Sequence, residues 1–379
     1  MLITTLILCL VISLLIVEKT AVQRSVGKLK LRIHVNGTRG KSSVTEYIAA
    51  GLLNAQTEVM AKVTGIVPTI LHNGTEQTIK RVGGARVQEQ MNIIRFAARK
   101  KVRSLVLECM SISPELQRLE SRFFKPHIYL ITNIKDDHRE EMGKDLEEQA
   151  DSICGAIPEN CIVITNEVRF LNKIKEKAAL RNSVVLAPQE LDSEFLQDLP
   201  SGIFPENVRL ALTACKVAGV DPQLAQEGIR RFLSGKRSAL TTVSDGARQI
   251  QFLNAFAVND VDSTTLFIGQ WKERLGNQGK IILVLNTRSD RPIRTDLFTG
   301  WCKKSISEIE KIIVTGDHAM RANHSLLKSG FDKEKIYIWS AKQVENAKAG
   351  LFEIAGDGTL VVGIGNIGDA GFTFLKGIA

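Results

Sequence analysis

Leu31-Arg32-Ile33-His34-Val35-Asn36-Gly37-Thr38-Arg39-Gly40-Lys41-Ser42-Ser43-Val44-Thr45-Glu46-Tyr47-Ile48 is the segment from which the rest of this chain can be read. Leu31, Ile33 and Val35 alternate with Arg32 and His34, the period of a strand. Asn36 to Gly40 is turn chemistry. From Lys41 the apolar positions Val44, Ile48 and Leu52 fall on one helical stripe. Strand, glycine loop and helix in this order form a phosphate-binding loop. Its backbone N–H groups point inward, and the positive end of the helix lies behind them. Lys41 is then placed for the β- and γ-phosphates, and the Ser42 hydroxyl for a magnesium ion. The plain alternative is a glycine turn before a surface helix with a solvated lysine.

The common spacing G-x-x-x-x-G-K-[ST] is not met, because its first glycine would fall at Val35. The sequence instead has the tighter Gly37-Thr38-Arg39-Gly40-Lys41-Ser42.

Composition narrows the class. The 379 residues suit two domains, and 44% hydrophobic with 24% charged residues is globular. A net charge of +9 suits a nucleotide, another polyanion or an anionic membrane face. With 6% aromatics and no Lys/Arg arm, nucleic acid is set aside. Cys9, Cys109, Cys154, Cys161, Cys215 and Cys302 form no C-x-x-C pair and read as reduced, mostly buried thiols.

Residues 1–17, MLITTLILCLVISLLIV, carry no charge, and Lys19, Arg24, Lys28, Lys30 and Arg32 follow. A signal peptide would want basic residues before the apolar run and small residues at a cleavage site. An uncleaved single-pass anchor is expected instead, with the basic flank and the body on the cytoplasmic side. Residues 1–24 are read as anchor and flank, 25–235 as the central domain, and 236–379 as a second α/β domain after the Ser234-Gly235-Lys236 linker.

Strands and helices alternate through both domains, the rhythm of parallel sheets covered by helices on both faces. Strands are expected at Ser104–Glu108, His127–Asn133, Cys161–Thr165 and Ser183–Ala187. The second series falls at Gln249–Phe256, Lys280–Leu285, Lys311–Val314, Lys335–Trp339 and Leu360–Ile364. Lys62-Val63-Thr64-Gly65 is a candidate substrate turn, or a plain loop. Gly363-Ile364-Gly365-Asn366-Ile367-Gly368 fits G-x-G-x-x-G. A dinucleotide fingerprint also wants an acidic residue about 20 positions on, beyond Ala379. The run is therefore read as a tight strand-to-helix turn.

A phosphate-binding loop takes the rest of its metal site from neighbouring strand ends. Glu108 ends an apolar strand, and with Ser42 it offers the hard oxygen ligands magnesium takes beside phosphates. His138 follows the next strand. By residue chemistry alone it is a polar loop residue.

The loop G-T-x-G-K-S resembles that of the Mur ligase and folylpolyglutamate synthetase superfamily. So do Glu108-Cys109-Met110-Ser111 and Thr132-Asn133-Ile134-Lys135-Asp136-Asp137-His138. The resemblance implies a P-loop Mur-ligase-like α/β central domain and a Rossmann-like C-terminal domain. It makes Glu108 and His138 metal ligands with Ser42, and it places ATP on Gly37, Thr38, Arg39, Gly40, Lys41, Ser42 and Ser43. It further implies nucleotide contacts from Asn207 and from Asn259, the last residue of the motif Asn254-Ala255-Phe256-Ala257-Val258-Asn259. Arg237, just past the linker, is expected on the γ-phosphate. Lys41, His138 and Arg237 are thus the expected catalytic residues. Two departures stand out. The family's second aspartate of the C-terminal motif is Ala255, and Ile153 stands where many members carry a carbamylated lysine that bridges magnesium ions. The second ion would then need water or substrate.

The narrower resemblance is to the ligase subunits of bacterial poly-γ-glutamate synthases. It is carried by residues 36–42, Glu108-Cys109-Met110, Asp137-His138 with Met142-Gly143, Phe252 to Asp260, Arg288-Ser289-Asp290-Arg291, Gly363 to Ile367 and the apolar N-terminus. It implies a glutamate γ-carboxylate activated by ATP as an acyl phosphate and then attacked by another glutamate's amine. Glutamate and the growing chain are the expected substrates, small membrane subunits the expected partners, and a homo-oligomer is kept open. Arg288, Arg291 and Arg294 form a basic cluster after the strand at Lys280–Leu285 that could hold substrate carboxylates, with Asp290 among the candidate substrate residues and a solvated loop as the alternative. Another Mur or folate-type ligase and a membrane-tethered ATPase are the rival functions.

Overall fold

Residues 31–36 form β1 (Leu31–Asn36), the strand on which the first sheet is centred. The other strands are β2 (Val59–Val63), β3 (Thr69–His72), β4 (Thr75–Thr78), β5 (Ser104–Glu108), β6 (Ile128–Ile131), β7 (Ile162–Thr165) and β8 (Val184–Leu186). Their order is β4-β3-β2-β5-β1-β6-β7-β8. The computed structural model describes residues 2–55, 58–65, 67–81, 83–200, 202–236, 238–258, 260–277 and 279–379. Among these, chain contacts define two compact units that divide between Gly235 and Lys236.

The register of the first sheet builds the site. β1 lies parallel between β5 and β6, with Val35 opposite Glu108 and Asn36 opposite Ile131. The glycine loop, Glu108 and Thr132 therefore leave the sheet side by side at its carboxyl edge, where parallel α/β sheets bind ligands. Helix Lys41–Asn54 continues from the loop. Val44, Ile48 and Leu52 are buried, as the helical stripe predicts, in a core that includes Ile33, Val35, Val106 and Leu130. The hairpin of β3 and β4, in which β3 alone runs against the other strands of the sheet, was not expected from the sequence.

Helix Leu2–Lys28 runs unbroken across the expected division at residue 24. Its apolar first part is exposed, whereas Val22, Val26 and Leu29 pack with Ile93, Ile94, Phe123 and Phe124. The Gln23 amide donates to the Phe123 carbonyl at 3.2 Å. By length and composition the helix is able to cross a membrane.

In the second unit β9 (Leu240–Ser244), β10 (Gln249–Asn254), β11 (Ile281–Thr287), β12 (Ile309–Gly316), β13 (Ile336–Ile338) and β14 (Leu360–Gly365) are ordered β13-β12-β11-β14-β10-β9. All pairs are parallel except β9 with β10. The G-x-G-x-x-G run is the exit of β14 into helix Asp369–Gly377, the tight strand-to-helix turn read from the sequence.

Candidate active site

The glycine loop is fixed by its neighbours. Asn36, buried, accepts from the Gly37 N–H (2.8 Å) and donates to Gln117 (2.9 Å) and the Tyr129 hydroxyl (2.8 Å). The Thr38 N–H donates to the Asn133 carbonyl at 2.9 Å. The Asn133 side chain closes a two-way bond with the backbone of Arg39, at 3.0 and 3.1 Å. Gly37 has φ 121°, and a side chain there would run into Thr132 and Asn133. Gly40 has φ 80°, and a Cβ would stand 2.5 Å from Asn207 Oδ1. These two positions need glycine for space and backbone angle alike.

Asn207, the third residue of helix Pro205–Val217, thus lies against Gly40. Lys41 donates to the carbonyls of Gly37 (2.7 Å) and Thr38 (3.2 Å), which folds its ammonium over the loop. The Ser42 hydroxyl lies 2.9 and 3.1 Å from the two oxygens of Glu108, which is buried. The Thr64 N–H reaches Glu108 Oε2 at 2.5 Å. A Cβ on Gly65 would come within 3.3 Å of Ser42 Oγ. Lys62 and Val63, expected in a turn, are the end of β2, and only Thr64 and Gly65 beyond it border this pair.

A hydroxyl and a carboxylate meeting at the mouth of a phosphate-binding loop are the hard oxygen donors a divalent cation takes beside phosphates. The fit is good: Ser42 and Glu108 are the residues that would hold it.

The second motif forms the opposite wall of the loop. Arg39 pairs with Asp137 at 3.0 Å, and His138 Nε2 lies 3.6 Å from the same carboxylate. His138 takes a left-handed backbone, φ 47° and ψ 48°, which turns the chain into the short helix Arg139–Met142. Fully buried Gln149 braces the segment. It accepts from the Asp137 N–H at 3.0 Å and donates to Asp136 and the Gly143 carbonyl at 3.1 Å each. Ile153 is fully buried among Tyr129, Ile131, Val163 and Ile174. That position serves the core and offers no ligand.

In the second unit Ala255 is likewise core. The loop after β11 is held by its own ion pairs and by Asp317, which accepts from the Ser289 N–H at 2.8 Å. Arg288 bonds Asp290 at 2.9 and 2.8 Å, and Arg291 approaches the same carboxylate at 3.8 Å. Arg294 donates to Asn366 at 2.8 Å, at the exit of β14. Arg237 and Asn259 lie outside the described residues.

Sequence reasoning missed the support behind the loop. Glu120 and Gln90 are buried beneath the exit of β5. Burial works to raise the Glu120 carboxyl, but the bonds from His34, Ser111 and Gln90 hold it below the ordinary carboxylate range. Lys62, fully buried, bonds Glu89 at 2.7 Å, and burial lowers its ammonium's proton affinity. Arg81 shares that carboxylate at 2.6 and 2.8 Å. The isolated polar residues of amphipathic segments give no motif by which such partners are found.

The fold is of the Mur-ligase and FolC type. Residues 35–192 match the Mur ligase middle domain, and residues 240–379 match the poly-gamma-glutamate synthase CapB C-terminal domain. The two matches lie one on each side of the division after Gly235. It is similar to the capsule biosynthesis protein CapB of Bacillus anthracis, 28% identical over 361 residues, 92% of this chain and 76% of that one. It is also similar to the PGA synthase CapB of Bacillus subtilis (strain 168), 29% identical over 317 residues, 81% of this chain and 80% of that one. Among solved structures, E. coli FolC in complex with ADP matches at a TM-score of 0.71 and 15% identity, covering 94% of this chain and 92% of that one. A bifunctional folylpolyglutamate synthase/dihydrofolate synthase from Yersinia pestis, complexed with AMPPNP and a Mn ion, matches at 0.69 and 14%, with the same coverage. These two establish the fold.

Proposed function

We propose that this chain is an ATP-dependent amide ligase that joins glutamate units through the γ-carboxylate, with magnesium as its cation. The observation that carries the reading is the Ser42–Glu108 pair at the mouth of the glycine loop. The CapB-type second unit supports glutamate as substrate.

Each group has a defined task. The backbone N–H groups of residues 40–42, at the start of helix Lys41–Asn54, cradle the β-phosphate, while those of residues 37–39 are held by Asn36 and Asn133. The Lys41 ammonium has two carbonyls as partners, so no carboxylate among the described residues neutralises it, and its charge is available to the γ-phosphoryl group. Ser42 and Glu108 would hold the cation, which would supply charge neutralisation to the phosphates. Arg39 and His138, on Asp137, form the far wall. Arg288 and Arg291, with Asp290, are proposed to orient substrate carboxylates in the second unit.

Helix Leu2–Lys28 is proposed to span the membrane once, with the body in the cytoplasm, where small membrane subunits join it. Membranes containing the chain, given ATP, magnesium and labelled glutamate, are expected to accumulate labelled polymer with ATP consumed. ATP hydrolysis without polymer would favour a tethered ATPase. Extension of a folate or cell-wall precursor alone would favour another Mur-type ligase.

A further inference from the structure

Helix Pro114–Phe124 carries no nucleotide motif, yet it grips both limbs of the candidate site from beneath. Gln117 accepts from Asn36, the residue that opens the glycine loop. One turn on, Glu120 is 1% exposed and gathers four contacts. Gln90 donates to it at 3.1 Å, the Met110 N–H at 3.4 Å and the Ser111 hydroxyl at close range, and His34 Nε2 lies 3.5 Å away. The same Gln90 amide donates to the Glu108 carbonyl at 2.8 Å.

A buried carboxylate costs several kcal/mol unless it is paired and hydrogen-bonded. Here every partner belongs to β1, to the exit of β5 or to the helix that braces that exit. Glu120 reaches none of the nucleotide-loop atoms itself. Its charge is spent on the Met110 N–H and on the Ser111, Gln90 and His34 side chains around the strand end that carries Glu108.

His34, Cys109 and Glu120 have ligand atoms within 4.8 Å of one another. The group does not suit a cation. The Glu120 oxygens already accept from Ser111, Gln90 and Met110, and burial keeps the Cys109 thiol protonated, its proton affinity well above the ordinary value.

We propose that Glu120 is a positioning residue for the cation site: through Ser111, the Met110 N–H and Gln90 it fixes the exit of β5 so that the Glu108 carboxylate stays on Ser42. The inference rests on the reading of Ser42 and Glu108 as cation ligands. Residues that orient metal ligands typically change metal affinity by about 10–100-fold when altered.

The test uses the full chain in detergent, with Mn2+ as the probe. Mn2+ affinity is measured by electron paramagnetic resonance at saturating ADP. ADP affinity is measured separately in chelator, and melting temperature is recorded for each variant. Glu120→Gln is expected to weaken Mn2+ binding by about 10–100-fold, with metal-free ADP affinity unchanged. Ser111→Ala removes one donor and is expected to weaken Mn2+ binding less, in the same direction. It carries the test if Glu120→Gln does not fold. Glu108→Gln is the reference. Unchanged Mn2+ affinity in both variants, with loss in Glu108→Gln, overturns the positioning role alone. Equal loss of Mn2+ and metal-free ADP binding overturns it in favour of general packing. No effect in Glu108→Gln overturns the cation-site reading and this inference with it.

Discussion

Lys41 is the residue whose role follows most directly from its surroundings. Its ammonium is bonded to the loop's own carbonyls and contributes nothing to the core. Lys41→Ala is therefore expected to lower kcat by at least about 100-fold, the order seen when one preorganised transition-state donor is lost. The melting temperature should stay put; turnover near the parent rate would remove the phosphate-loop reading. Glu108→Gln and His138→Ala test the wall residues in a magnesium titration. Each is expected to raise the magnesium needed for half-maximal rate or to abolish turnover, and a parental titration curve for either removes that residue from the site. Lys41, Ser42 and Glu108 were legible because their chemistry is local: a loop spacing and a strand that ends in a carboxylate. Glu120, Gln90 and Gln149 were not. Each is a polar residue on an amphipathic helix, and only the fold shows that it points inward.

Elements were legible where one period dominates. The stripe Val44, Ile48, Leu52 gave helix Lys41–Asn54, the alternation of Leu31, Ile33 and Val35 gave β1, and the apolar runs gave β5, β6 and β7 because central parallel strands are covered on both faces. The hairpin of β3 and β4 escaped notice. β4 is exposed throughout, with the sequence Thr75-Glu76-Gln77-Thr78, so it carries no apolar alternation. Helix Leu2–Lys28 was legible as an apolar run, but not its continuity into the first unit. That continuity depends on Val22, Val26 and Leu29 finding Ile94 and Phe124 far along the chain. The helix behind the loop is expected to matter for stability as well as chemistry. Ile48 is fully buried, so Ile48→Ala should cost about 2–5 kcal/mol in denaturant unfolding. A loss well under 1 kcal/mol would mean that this helix is not seated in the core as described.

At the scale of the whole molecule, the division after Gly235 was legible from the small and charged residues Ser234-Gly235-Lys236. Two departures from the family pattern, Ile153 and Ala255, turn out to be core positions. The proposed topology has its own test. In intact cells the body should resist added protease, since the basic flank follows the apolar run; cleavage within residues 236–379 from outside would reverse the orientation. The product of ATP cleavage tests the chemistry. A ligase can activate a carboxylate as an acyl phosphate, which leaves ADP, or as an acyl adenylate, which leaves AMP. The outcome depends on which phosphorus faces the carboxylate. A glycine loop wraps the β-phosphate and leaves the γ-phosphoryl group at its open end. Lys41 is folded over the loop, and Ser42 and Glu108 would hold a cation beside it. Both features stabilise charge on a departing γ-phosphoryl group, so carboxylate attack there is the favoured course. ADP and phosphate are expected in step with each amide bond, measured by chromatography of the nucleotide pool against labelled polymer. AMP and pyrophosphate in stoichiometric amounts would sink the acyl-phosphate mechanism and, with it, the roles assigned to Lys41, Ser42 and Glu108.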